Sequence, residues 1–529
     1  MFFGQPVAGT NKVVTVPAPV GGLNARDSLA AMPPTDAIVL NNWWPQPYGC
    51  LVRKGYIEWA TGLPAEVQSL WPWSSVDGDQ KLFAWSADEM HDVTARAAVG
   101  APLLTGLSNA VWEAVQLVNT GGSHLIAVNG VDDAIIYNAS GVNRIILGGG
   151  GAGTWAGIDP KDAVQVTVHQ SRLWAVEKDS SVGWYFPIQQ QFGIAQAWDF
   201  GPLFSRGGFL QFLTTWTLDD GNGAEDHLIA MSSRGEAVVY AGGDPAATDG
   251  SWRLVGVYYI GAPVSGRRGF AKAAGDQIII TQQGIVSMTA KLISTKVTQN
   301  NDIINSLKIQ FLLNELIRQY TALPGWELQY FPRINMVLVN VPSVTVDGDL
   351  QLASNQITGA WTQFSGMIAR SWASFLSSPF FGSTNGTVYR AWEGNSDGVL
   401  LDNTGGTGVR AQAQQAYNYY DQLATQKQIS MYRPTFVVSE PINFRSNIQY
   451  DFTTNNLNYP DAIPGLSSSL WDVALWDSGT WFGGTQIQKS WVQAIGMGVA
   501  ASLRLATQTD AETLWVATDY SLIGGKGLF

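Results

Sequence analysis

His124-Leu125-Ile126-Ala127-Val128-Asn129 runs into Gly130-Val131-Asp132-Asp133 and returns as Ala134-Ile135-Ile136-Tyr137. Both runs are rich in residues that suit a pleated strand, and turn formers separate them. Gly130 supplies the positive φ that a tight reversal needs. The stretch reads as an antiparallel hairpin: a strand, a turn, and the strand's return.

The same shape recurs on both sides. Lys81–Trp85 is followed by the turn Ser86-Ala87-Asp88-Glu89. Arg172–Val176 returns as Val182–Phe186, Leu228–Met231 as Glu236–Tyr240, and Gln277–Thr281 as Ile285-Val286. Phe380-Phe381-Gly382 turns through Ser383-Thr384-Asn385-Gly386 to Thr387-Val388-Tyr389. From Ala87 to Gln283 the turn centres fall about 40–55 residues apart, the blade spacing of a β-propeller. The repeat is one of shape, because no Trp-Asp or kelch signature accompanies it. The expected fold is mainly β and propeller-like, with a sandwich or barrel as the alternative.

One segment breaks the strand pattern. Over 301–320, Ile303, Ile304, Leu307, Phe311, Leu312, Leu316 and Ile317 keep helical spacing. Asn300 or Asn301 can cap the start, and Pro324-Gly325 follows the end. This predicts one inserted amphipathic helix packed on the propeller. Composition suggests three parts: a proline-rich arm with strands over 1–60, expected to pack on the platform; the propeller over 61–400; and a β-rich platform over 401–529. Strands are expected there at Arg433–Ser439, Asn443–Phe452, Trp491–Gly498 and Leu514–Thr518, with Ala494–Leu503 a buried apolar strand.

Composition narrows the function. The 529 residues correspond to roughly three domains at about 150 residues each. One cysteine excludes an internal disulfide and a thiolate zinc cluster. Thirty basic against 42 acidic residues give a net charge of −12, the wrong sign for gripping phosphate. Charged residues make up 14% of the chain, against about 25% in a typical domain, while 22 residues are tryptophan. Interface cores share that bias, so an oligomer is expected, with a rigid all-β monomer as the alternative. The start at Met1 has no signal-peptide pattern, and no apolar run is long enough to span a bilayer.

The search for chemistry finds no clear site. His91, His124, His169 and His227 lie in or beside strand-like runs without metal-pair spacing, so structural roles are expected. Cys50 is expected to be inert. The Gly148–Gly153 tract lacks the Lys-Ser/Thr end of a phosphate loop and reads as a plain loop. Asp77-Gly78-Asp79 and Asp347-Gly348-Asp349 read as turns. Asp219-Asp220-Gly221-Asn222-Gly223, with Glu225 and Asp226, could hold calcium weakly, but a turn fits better. Asp477-Ser478-Gly479-Thr480-Trp481 is a shortened version of the sialidase Asp-box, a weak pointer to glycan chemistry. There is no nucleophile elbow. Neither a cofactor nor enzymatic activity is expected.

Two stretches carry a family resemblance. The first is Gly21-Gly22-Leu23-Asn24, Met32-Pro33-Pro34-Thr35-Asp36-Ala37, Leu40-Asn41-Asn42-Trp43 and Leu51-Val52-Arg53-Lys54-Gly55-Tyr56. The second is Leu470 to Trp481. Hairpins at Thr358–Phe364 and Gly386–Trp392 add to it. Together they resemble the tail nozzle, or tail-tube B-like, proteins of short-tailed bacteriophages. The chain departs from the pattern at Trp43-Trp44, where one aromatic is expected, and at Cys50.

The resemblance implies a non-enzymatic virion part, made in the host cytoplasm. It implies a homo-oligomeric, hexameric ring below the portal and its adaptor, with a propeller layer. The ring would continue the DNA channel, retain packaged DNA, pass it without specific binding and support tail fibres or spikes. An acidic wall suits that task, since like charge repels phosphate over a Debye length of about 8 Å. Asp219, Asp220, Glu225 and Asp226 form the densest acidic loop and are the candidate channel lining, with an outer surface loop as the alternative. A glycan-binding or glycan-cleaving receptor propeller and a cytoplasmic propeller scaffold are the competing functions.

Overall fold

In the computed structural model, residues 12–219, 224–273, 275–293, 306–342, 350–421, 423, 425–461 and 484–524 are described. Asp220, the Asp-box-like Asp477–Trp481, the second resemblance stretch, the turn at 347–349 and the start of the predicted helix lie outside them.

The opening hairpin forms as read. Strand Gly122–Val128 pairs antiparallel with Ala134–Asn138, with Ile126 opposite Ile136. Asn129 holds the turn, its Oδ1 accepting from the Val131 and Asp132 amides at 3.0 and 2.8 Å, while Gly130 takes φ 75°. Alternation then divides the side chains between the two faces of the sheet. Leu125, Ala127, Ile135 and Tyr137 pack with Trp73, Phe83 and Trp85 of the preceding sheet. Ile126, Val128, Ala134 and Ile136 pack with Val166, Leu173 and Phe186 of the following one. Burial on both faces explains why these strands are apolar throughout rather than alternating. Each buried Ile or Leu contributes about 1.5–3 kcal/mol.

Among the described residues, seven such sheets follow one another as blades. Blade 2 starts at strand Val67–Ser74, blade 3 at Glu113–Asn119, blade 4 at Ala163–His169 and blade 5 at Leu210–Asp219. Blades 6 and 7 start at Phe270–Ala273 and Glu327–Phe331, and blade 1 at Ala369–Phe375. Each first strand touches the blade on either side, and the contacts close into a circle. Seven apolar clusters fill the seven gaps. The protein is a β-propeller. Blade 1 closes the ring by pairing two distant segments: Val388–Ala391 runs antiparallel to Tyr56–Thr61, with Ala60 opposite Val388.

The rest is a two-sheet platform, built by residues 12–52 together with 405–524. In one sheet Thr513–Gly524 lies between Lys427–Val438 and Lys12–Pro17. In the other Gly405–Gln415 pairs with Asp36–Asn41 and with Ala501–Thr509. Gly405–Gln415 also pairs with Ser396–Val399, which runs beside Tyr56–Thr61 of blade 1. Asn41 meets Gln363 of blade 7. The platform is therefore hydrogen-bonded to the propeller at its closing seam.

Three expectations need correction. The helix is Gln310–Tyr320, preceded by a 3-10 turn at Ser306–Ile309, and its inward stripe is Ile309, Leu313 and Ile317. Leu312, Leu316 and Ile317 of the expected stripe do pack on the core, whereas Phe311 is 63% exposed. The strand expected from Ala494 begins only at Ala501, and Ile495 stands 88% exposed. The strand expected over Trp491–Gly498 shrinks to Val492–Gln493. Among the described residues, eleven tryptophans are fully buried in this chain's own core.

Candidate functional site

The first resemblance stretch converges on one buried residue. Arg53 follows strand Gly49–Val52 and is 1% exposed. Its guanidinium meets Asp397 in a two-pronged pair, Nη1 to Oδ1 at 2.7 Å and Nη2 to Oδ2 at 2.6 Å. Nη2 also donates to the Ser365 carbonyl, Nη1 to that of Lys54, and Nε to Asn42 Oδ1 at 2.9 Å. A planar fork with five donors suits this geometry, which lysine could not supply. Asn42 sits at φ 59° and donates through Nδ2 to the Arg410 carbonyl at 2.7 Å. Gly55 is required here, because a Cβ would lie 1.9 Å from the Ser396 carbonyl oxygen. The cluster ties the platform strand Gly405–Gln415 to blades 7 and 1.

Trp43 and Trp44 flank this junction and point to opposite faces of their strand. Trp43 packs on Trp515 in the platform core, and Trp44 packs against Phe364 and Trp392 between blades 7 and 1. The paired aromatics that depart from the resemblance are thus two wedges, one for each region. Cys50 is fully buried in the platform core, and burial pushes its thiol well above the usual range.

A second, largely buried arginine, 13% exposed, sits where the blades converge. Arg268 precedes the first strand of blade 6. Its Nε donates to Glu113 of blade 3 at 2.9 Å. Nη2 donates to Ser69 Oγ of blade 2 and to the Trp112 carbonyl, both at 2.7 Å, and Nη1 to the Gln68 carbonyl at 3.0 Å. Glu327 of blade 7 lies 4.0 Å away, accepting from the Trp372 amide of blade 1 at 3.0 Å. Burial works against the Arg268 charge, but the two carboxylates outweigh it and its pKa rises. Burial dominates at Glu327, whose carboxyl is pushed up to about 7 despite Arg268. The longer ion pair is the reason: Glu113 takes the direct bond. Other first strands are joined by neutral groups. Gln165 exchanges two hydrogen bonds with the Leu213 backbone, and Ser371 Oγ donates to the Val67 carbonyl.

The residues singled out from sequence lie elsewhere. Asp219 ends the first strand of blade 5, where it pairs with Ala224, and Asp220 lies outside the described residues. Glu225 is held by Arg253 at 2.8 and 3.0 Å, and Asp226 accepts from Thr217 Oγ1 at 2.5 Å. Lys272 of blade 6 feels the Asp226 charge, although burial lowers its pKa overall. Glu225 and Asp226 are therefore neighbours on one hairpin, each with a partner, and not a bare acidic strip.

The four histidines do not meet in one cluster. His169, fully buried, bonds Thr215 Oγ1 and the Gly242 carbonyl, and burial lowers its pKa, as it does for His124. His91 and His227 bond Glu89 and the Glu225 carbonyl. Gly78 takes φ 96° in the turn at Asp77–Asp79. Gly150, in the glycine tract, takes φ 79° where a Cβ would press on Gly193 and Ile194 at 2.9 Å. A cavity of about 260 Å³ between Ala60 and the segment Asp92–Gly100 is lined mostly by small residues, and its carboxylate, Asp92, is paired with Lys81.

No protein-family model and no curated protein matches this chain. Solved structures do resemble it. BBS1N, solved in complex with ARL6DN, aligns at 8% identity and TM-score 0.40, over 64% of this chain and 98% of that one. The computationally designed Ika8 protein aligns at 10% and 0.35, over 67% and 96%. The Cps50 (Swd1) β-propeller domain of Myceliophteria thermophila aligns at 11% and 0.35, over 62% and 99%.

Sequence reasoning missed Arg268 entirely. It quoted Arg53 without its partner, because Asp397 lies 344 positions away. An uncommon Arg267-Arg268 pair in a chain with few charges was the available signal for Arg268.

Proposed function

We propose that this chain is a structural subunit of a virion: a tail nozzle or tail-tube protein of a short-tailed bacteriophage. In this reading it forms a ring of about six copies, passes DNA without gripping it, and carries the adaptor and tail fibres as partners. The observation that carries the reading is how the buried cations are used. Arg53 and Arg268 commit their donors to joining sheets, which suits a rigid wedge and not a catalyst. The resemblance stretch supplies Asn42, Arg53 and Gly55 to that lock.

The charge distribution supports the same reading. Residues 61–400 hold 19 basic and 29 acidic side chains, net −10; the other 189 residues hold 11 and 13, net −2. A propeller of that sign repels phosphate at short range. Electron microscopy of the purified protein tests the proposal: rings with a central bore are expected, and a strongly basic bore would remove the sliding-wall argument. If Glu225 and Asp226 face the bore, reversing both to lysine slows DNA ejection from assembled particles. Unchanged ejection takes them off the wall.

A further inference from the structure

The seven-stranded platform sheet has edge strands on both sides, and two of them, besides Trp43–Gln46 and Val492–Gln493, have no partner beyond them among the described residues. One is Lys12–Pro17, whose paired strand is Thr513–Gly524. The other is Gln486–Lys489, whose paired strand is Lys427–Val438. Edge strands are usually guarded by inward charges, bulges or proline, because their free amides and carbonyls invite another strand. Val13-Val14-Thr15-Val16 carries no charge and has high strand propensity, and Val13 is 58% exposed. Around the other edge, Ile487, Trp491, Ile495 and Met497 are 39–88% exposed.

We infer that these two edges dock on each other between successive copies, Lys12–Pro17 of one beside Gln486–Lys489 of the next. The inference rests on the ring reading above and names the contact that builds the ring. Three observations select a second copy as the occupant. Strand sense alternates across the sheet, so the next copy's Lys12–Pro17 adds antiparallel to Gln486–Lys489 and continues the alternation. The contact uses two different patches, which is the heterologous geometry that rings require. It also lies on the near-neutral part of the chain, where identical copies repel least, and away from the part with net −10.

The single native cysteine, Cys50, is fully buried, so introduced thiols report alone. A protein carrying Val13→Cys and Ile487→Cys, treated with a short bis-maleimide, is expected to give a ladder of covalent oligomers on a denaturing gel. Thr15→Cys with Ile487→Cys covers the neighbouring register. Mass photometry of the untreated protein runs in parallel. Rings without a ladder in either register overturn the docking and leave the ring reading intact. Dimers from Val13→Cys alone indicate a twofold contact and also overturn the docking. Monomers at every concentration overturn the ring reading, and the docking with it. Ile495→Asp with Met497→Asp, both at exposed positions, is expected to weaken self-association at least tenfold; unchanged association counts against the contact.

Discussion

The propeller and the platform use the same strand chemistry at opposite ranges. In blade 3 Asn138 pairs with Gly141, three positions on. In the platform Lys12 pairs with Leu522. The first contact costs little chain entropy to close, and the second costs more, although the cost grows only slowly with loop length. What separates the regions is less their stability than the order in which they can form. The Arg53 cluster is where the two ranges meet, since it joins residue 53 to 365, 397 and 410 through Asn42.

The strongest way to break this comparison is Asp397→Ala. It strands a guanidinium that is 1% exposed, and breaking a buried pair this way costs about 3–5 kcal/mol. Calorimetry should show the platform melting in a step of its own, below the propeller and further from it than in the unsubstituted protein. Arg268→Met strikes the propeller alone. It should cost about 3 kcal/mol, the lower end of the same range, because Glu327 can take up a proton when its cation is gone. Chemical denaturation should show the loss.

Glu327 also sets a pH dependence. Its carboxyl is pushed from an ordinary 4.5 to about 7, so the folded chain holds a proton that the unfolded chain has released. Stability then falls as pH rises from about 4.5 to about 7, and Glu327→Gln should flatten that part of a Tm-versus-pH curve. The helix sharpens the comparison on a smaller scale. Leu313→Ala opens a buried site and should cost about 2–3 kcal/mol. Phe311→Ser, on the exposed side, should change stability by less than about 0.5 kcal/mol. Urea melts of the two variants check both values.

What could be read in the sequence follows the same division. Hairpins such as 124–137, 228–240 and 277–286 announce themselves, because the turn residues that fix them lie between the strands they join. The platform's partners are not readable that way, since nothing near Lys12 names Leu522. The helix was legible as a helix, with Leu312, Leu316 and Ile317 on its inner side, but its start and first turn were not: it begins at Gln310, Phe311 faces out and Leu313 packs in. The acidic residues were legible as a group but their partners were not, because Arg253 and Thr217, which bond Glu225 and Asp226, come from other strands. The two arginine locks were invisible for the same reason: a lone cation shows its partners only once the chain has folded.

The seam at blade 1 also puts a clock on the molecule. Ala60 leaves the ribosome 328 residues before its partner Val388. At about 5–20 residues per second that is a delay of roughly 15–65 s. Through that interval Tyr56–Thr61 has no blade to join, and blades 2 to 7 can stack only as an open arc. The platform waits longer still, since Lys12 cannot pair before Leu522 has been made. A chain interrupted between Ala391 and Leu522 therefore has the residues of the blade-1 seam but lacks the platform closure. Among the described residues, only a chain read through to its last strand acquires the finished shape.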